Sequence, residues 1–289
     1  MIAAVIGAGA WGTALGITIA RGRNDAILWS HGGDIHHFDN VEIPRNIRVT
    51  RDMHDIRNTD VWFAVTPAAY FRETMIRARP FYSGQPIIIC TKGAEPDTGA
   101  FMSEILQDTI PNAPDIAVLS GPQFALEVAN QIPTGSTIAG TETACRAGRT
   151  MLSQMYLESC SDIIGTELCG VGKNAVALIS GFTTGAGYGE NTRAMIFTRA
   201  WGEIVDLGIA CGAEMRTFLG LAGIGDLFLS ATSDTSRNFA AGRDIAHGVS
   251  PTGKIEGINA LGAILQRATK MSTRTDILTD IANRMGLAK

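Results

Sequence analysis

This chain of 289 residues has no CxxC pair, no run of basic residues, and no stretch of about 18 uninterrupted apolar residues. Each absence excludes a class of protein. The five cysteines, Cys90, Cys145, Cys160, Cys169 and Cys211, are scattered and odd in number. That pattern argues against a disulfide framework and a zinc site, and it points to a reducing cytoplasm. No resident metal is expected. Lys and Arg total 24 against 28 Asp and Glu, a net charge of -4. Without a positive stripe, nucleic acid is not an expected partner. The N-terminus opens on "MIAAVIGAGAWG", without the charged region and cleavage site of an export signal, so neither export nor a membrane span is expected.

What the chain does have is apolar. Hydrophobic residues make up 45% and charged residues 18%, the balance of a well-buried globular protein. At roughly 150 residues per domain, two domains are expected.

The first half alternates short apolar runs with helix-length segments. Ile2 to Ile6, Ala26 to Trp29, Val61 to Val65, Pro86 to Cys90 and Ile116 to Leu119 are apolar on both faces, as strands of a covered parallel sheet should be. The expected fold is therefore α/β, an N-terminal doubly wound sheet of Rossmann type. From about Glu167 the texture turns helical, in stretches such as "FTRAWGEIVDLGIACG" and "EGINALGAILQRATK". The expected division is residues 1–165 for a dinucleotide-binding domain and 166–289 for an all-helical, substrate-binding one.

"VIGAGAWGTALG" supplies G-x-G-x-x-G as Gly7, Gly9 and Gly12, directly after a strand and opening a helix. In that context Gly7 permits the tight turn, Gly9 lets backbone approach a pyrophosphate, and Gly12 lets helix and strand close up. Ala10 and Trp11 lie within the same turn. About 20 residues on, where an Asp or Glu would hold the adenosine ribose, the chain has "LWSHGG", with Ser30 and His31. A missing carboxylate removes repulsion against a 2'-phosphate, so NADP as well as NAD should be accepted. No arginine stands beside these residues in sequence to attract that phosphate.

Four further segments carry polar residues that packing would not choose. "CTKGAE" places Lys92 just past a strand, at the edge where open α/β sheets bind ligands. "LSGPQFALEV" follows another strand. "GYGENT" (Gly187 to Thr192) reads as a polar loop, and "LAGIGDLFLSATSDTSRN" carries Asp226, Ser236, Arg237 and Asn238. In "CGVGKNAVALISG", Lys173 shares a helix face with Val176, Ala177 and Ser180, a cation on an apolar wall.

Together "GAGAWGTA", "CTKGAE", "SGPQFA", "GVGKN", "GYGENT", "GIGDL" and "TSRN", in that order, resemble the NAD(P)-dependent glycerol-3-phosphate dehydrogenase family of the bacterial type. The resemblance runs from Gly7 to about Gly257. It implies a Rossmann domain followed by a helical substrate domain, and interconversion of dihydroxyacetone phosphate and sn-glycerol 3-phosphate. By resemblance Lys173 is the catalytic acid/base, Lys92 contacts substrate and nicotinamide, and Asp226 belongs to the same network. Ser236, Arg237 and Asn238 hold the substrate phosphate, Arg237 also facing the cofactor. Glu256 and Ala125 fall on cofactor-side positions, and Gly121 and Gln123 line the substrate cleft. Gln123 stands where the family has a smaller Ser, Thr or Asn. Many such enzymes dimerise through the helical domain, which makes a homodimer the expected assembly.

The residues agree with those roles on physical grounds. Hydride transfer to a ketone leaves negative charge on its oxygen, so a proton donor must stand within reach. Desolvation and a second cation, Lys92, are expected to bring the Lys173 ammonium closer to its working pH. "DTSRNFAAGRDIA" reads as a helix start with Thr235 or Ser236 as N-cap; free N–H groups and a guanidinium there suit a phosphate monoester. Trp201, Ile204, Val205 and Gly208 form a core stripe, and Cys169 is packing. Two rivals remain: a dehydrogenase of a related phosphorylated or acidic keto compound, and a non-catalytic NAD(P)H sensor.

Overall fold

The structure, a computed structural model, describes residues 1–96, 98–113, 115–232, 236–253 and 255–287. The chain folds into two compact units: residues 1–91 with 102–163, and residues 92–101 with 164–289.

The first unit is built on one sheet. Its strands are β1 (Ile2–Ile6), β2 (Asp25–Trp29), β3 (Ile47–Thr50), β4 (Val61–Ala64), β5 (Ile87–Ile89), β6 (Ile116–Ser120), β7 (Gly135–Gly140) and β8 (Tyr156–Cys160), in the order β3-β2-β1-β4-β5-β6-β7-β8. The central strands β4, β5 and β6 are buried along their whole length, which is why they read as unbroken apolar runs. Helices α1 (Ala10–Arg21), α2 (Ala68–Ala78), α3 (Met102–Thr109), α4 (Ala125–Ala129) and α5 (Glu142–Met151) connect them.

The sheet departs from the sequence reading in two respects. It is not all parallel, since β6 and β7 pair antiparallel, Val118 opposite Ala139. It also has three strands that the sequence did not announce. Two of these, β3 and β8, are the sheet's edges, where every residue is at least partly exposed, which lets Arg48, Thr50, Glu158 and Ser159 into the pattern. The third, β7, begins and ends on glycine, a residue depleted in strands.

The second unit is helical: α6 (Ile163–Gly185), α7 (Glu190–Ala210), α8 (Met215–Leu219), a π-helical turn at Leu221–Gly225, α9 (Asp226–Thr232), α10 (Arg237–Ala246), α11 (Glu256–Met271) and α12 (Asp276–Arg284). Its axis is α6. That helix is long and apolar enough by composition to cross a membrane, but 78% of its most apolar stretch is buried inside the fold. It is a core helix, and Lys173 interrupts it. Glycine lets other helices reach its backbone: a Cβ on Gly181 would overlap the Phe239 main chain of α10, and one on Gly242 would overlap the Leu178 carbonyl. Trp201, Ile204 and Val205 are buried in the same core. Glu190 to Thr192 of the expected polar loop form the first turn of α7 instead.

The segment 92–101 joins this unit through packing of its own. Ala94 and Phe101 pair across a bridge and enter the helical core, and the Arg267 guanidinium of α11 lies 3.8 Å from the Phe101 ring centroid.

Candidate active site

In the first unit the fingerprint turn has the shape its glycines require. Gly7 has φ +118, and a Cβ there would sit 2.8 Å from the Val65 carbonyl oxygen. At Gly12 a Cβ would overlap the Gly7 carbonyl, while at Gly9 no protein atom lies within 4 Å of one. The turn is closed where protein packs on it and open where a phosphate would approach. Gly9 is the N-cap of α1 and brings no capping side chain; Ala10 and Trp11 begin the helix, whose first turn has no acid. The amide groups and the positive helix end are left for an anion. Trp11 Nε1 is buried without a hydrogen-bond partner. This cradle fits a dinucleotide, and Gly7 ties it to the next strand by donating to the Trp29 carbonyl at 3.0 Å.

The other residues named for this unit divide. Ser30 and His31 follow β2 at the same sheet edge as Gly7. Ala125 opens α4 and packs with Trp11 against the apolar seam of Ala14, Ile17, Val128 and Ala129. Gly121 is pressed against β7, where a Cβ would lie 2.8 Å from the Ser136 Cα. Gln123 turns back on the protein: its amide nitrogen donates to the Ser136 hydroxyl, and its amide oxygen is buried without a partner. Its extra length is thus spent on β7.

In the second unit, three charges from distant parts of the sequence meet. Asp226 opens α9 with its side chain fully buried. Its Oδ1 accepts from Lys173 Nζ at 2.6 Å and its Oδ2 from Lys92 Nζ at 2.7 Å. The lysine side chains are 12% and 17% exposed, so both are mostly buried. A buried carboxylate is tolerable only when paired and hydrogen-bonded, and here each oxygen has its own cation. The two lysines are bridged by that carboxylate rather than opposed. Two cations and one anion leave a single positive charge on the cluster.

Two neighbours escaped the sequence reading. The Ser230 hydroxyl, buried one turn after Asp226 on α9, accepts from Lys173 Nζ at 3.1 Å. The spacing i, i+4 from Asp226 was the available signal. The other, Asn174, follows Lys173 directly, and its side-chain oxygen accepts from Asn238 Nδ2 at 3.0 Å. The Asn174 amide nitrogen is buried with no partner.

Asn238 also accepts from the Gly257 N–H at 2.9 Å, so it joins α6, α10 and the start of α11. Ser236 caps α10, its hydroxyl accepting from the Phe239 N–H at 3.4 Å; the rival cap, Thr235, lies outside the described residues. Arg237, first in α10, is exposed. Glu256 occupies the first position of α11, half-buried. Two of the cysteines are set by packing rather than reactivity: Cys169 is fully buried in the core, and burial pushes the Cys145 thiol up to about 11.

Two family models match, NAD-dependent glycerol-3-phosphate dehydrogenase N-terminus over residues 2–146 and the C-terminus of the same family over residues 162–285. The glycerol-3-phosphate dehydrogenase [NAD(P)+] of Gluconobacter oxydans is 36% identical over 295 residues, covering 96% of this chain and 90% of the relative. That of Afipia carboxidovorans is 33% identical over 294 residues, with the same coverage. The crystal structure of glycerol-3-phosphate dehydrogenase from Coxiella burnetii superposes with a TM-score of 0.90 at 28% identity, covering 98% of this chain and 94% of that one. With both halves matched and the charge cluster assembled, the chain belongs to the NAD-dependent glycerol-3-phosphate dehydrogenase family.

Proposed function

We propose that this protein interconverts dihydroxyacetone phosphate and sn-glycerol 3-phosphate with NAD(P)H, the first unit seating the dinucleotide and the second the phosphorylated substrate. When bound, the nicotinamide supplies or accepts the hydride. In the reducing direction the C2 oxygen gains negative charge, and the Lys173 ammonium gives it a proton. Asp226 Oδ1 and the Ser230 hydroxyl hold Lys173 Nζ in place. Lys92, fixed by Asp226 Oδ2, polarises the carbonyl. The positive charge left over on the cluster favours the oxyanion over the ketone, which is where catalytic stabilisation must act. In the oxidising direction neutral Lys173 takes the proton from the C2 hydroxyl.

The substrate phosphate is assigned to the start of α10. Arg237 offers an exposed guanidinium fork, and the helix N-terminus adds its amide groups. Asn238 keeps that helix end tied to the residue after Lys173, so the phosphate seat and the proton donor hold a fixed spacing. Glu256 is assigned to the cofactor side. The five cysteines are all free, in keeping with a cytoplasmic enzyme, and a homodimer is the assembly we assign.

One observation carries the reading: a fully buried aspartate held between the two lysines that sequence motifs had singled out separately. Initial rates of NADPH oxidation with dihydroxyacetone phosphate, against a panel of unphosphorylated and acidic 2-keto compounds, test it. Selective turnover of dihydroxyacetone phosphate is expected. Preference for another keto compound would reassign the substrate, and nucleotide binding without turnover of any would make the protein a sensor.

A further inference from the structure

The first residues after β2, Ser30 to Gly33, include no acid and gather cations from elsewhere in the chain. Arg51, just past β3, donates from its guanidinium to the Gly32 carbonyl. Arg77, in the last turn of α2, comes within 3.2 Å of His31 Nδ1 and lays its guanidinium carbon 5.5 Å from the Trp29 ring centroid. Trp29 organises both. It is 3% exposed, its indole N–H donates to the Arg51 carbonyl at 3.0 Å, and its face receives Arg77. Gly33, at φ +84, leaves the room: a Cβ there would overlap the Arg51 guanidinium.

Among the described residues, nearby acids do not neutralise these cations. Asp52 is engaged in accepting from the His54 N–H at 2.8 Å. Asp55 takes Thr50 and Arg48, and these bonds hold its carboxyl below the usual range. Asp34 pairs with neither arginine. Both arginines are exposed, as is His31, and Trp29, on which they gather, is joined to the fingerprint turn by the Gly7 N–H, which donates to its carbonyl.

We propose that Arg51 and Arg77 form the seat of the 2'-phosphate of NADPH, and that they make NADPH the preferred coenzyme. The inference rests on the reading that the Gly7 to Gly12 turn holds a dinucleotide. In such a unit the adenosine ribose lies at the end of the second strand. A carboxylate there would accept from a free 2'-hydroxyl and repel a phosphate. Here that carboxylate is absent, and two guanidinium forks, matched in geometry to phosphate oxygens, take its place. The sequence showed only the absence, since residues 51 and 77 lie some distance from residue 30.

Fluorescence titration of the purified protein with NADPH and with NADH tests this without turnover. The protein should bind NADPH at least about tenfold more tightly than NADH, and adenosine 2',5'-bisphosphate should compete better than AMP. Arg77→Ala and Arg51→Ala should each weaken NADPH by about tenfold and NADH by less than about twofold, the retained NADH affinity showing that the fold is intact. Equal affinities for the two nucleotides in the unaltered protein, or parallel losses in the variants, would overturn the proposal. An NADPH preference abolished by both substitutions, in a protein that fails to reduce dihydroxyacetone phosphate, would support this inference while overturning the proposed reaction.

Discussion

The two units build their binding features from opposite materials. In the first, the dinucleotide cradle is backbone, and its key residues, Gly7, Gly9 and Gly12, contribute by having no side chain. In the second, the site is side chain, a buried carboxylate bracketed by two lysines and steadied by a serine. A backbone cradle can be broken only by adding atoms, and a charge cluster only by removing them or altering their charge. The first fails by steric exclusion, the second by leaving buried charge uncompensated.

That contrast sets the expected order of effects. The largest belongs to Asp226→Ala, which leaves two mostly buried ammonium groups facing each other. Turnover should fall by at least about 10³-fold, and unfolding of the helical unit, followed by circular dichroism in urea, should show a loss of about 3 kcal/mol. Retained turnover would mean that the carboxylate does not organise the lysines. Next is Gly9→Val, whose Cβ enters the open face of the turn with no protein atom within 4 Å of it. Nucleotide affinity should fall by at least about 10²-fold while thermal stability changes by less than about 1 kcal/mol. A stability loss with normal nucleotide binding would reverse the assignment of that open face.

Smaller effects separate the parts of the second unit. Arg237→Ala should raise KM for dihydroxyacetone phosphate by about 10- to 100-fold, the value of one or two charge-assisted hydrogen bonds, with little change in kcat. A kcat effect of equal size would place Arg237 at the reacting carbon instead. Ser230→Ala removes one neutral acceptor from Lys173 Nζ, worth about 1 kcal/mol, so kcat should fall by about fivefold at unchanged nucleotide affinity.

The same contrast explains what the sequence disclosed. Backbone cradles need glycine at fixed spacing, so Gly7, Gly9 and Gly12 could be read directly, as could the apolar central strands. Edge strands β3 and β8 could not, because none of their residues is fully buried and they admit polar residues. Lys92, Lys173 and Asp226 were each visible as polar residues in unusual settings. Their meeting was not, since it depends on segment 92–101 packing with the helices through Ala94 and Phe101, a tertiary event. The carboxylate between the lysines could not be read from spacing for that reason, and neither could the gathering of Arg51 and Arg77 around Trp29. The direction of the Gln123 side chain, whose amide is turned onto Ser136, is likewise a tertiary contact that its place in the sequence does not announce.

The most direct measurement of the central claim is the single-turnover rate of Lys173→Ala with saturating NADPH and dihydroxyacetone phosphate, beside a titration of NADPH affinity. The account predicts a rate lower by about 10²- to 10⁴-fold with NADPH affinity unchanged within about twofold. A near-normal rate would remove Lys173 from the chemistry, and the charge cluster would then be a device for stability alone.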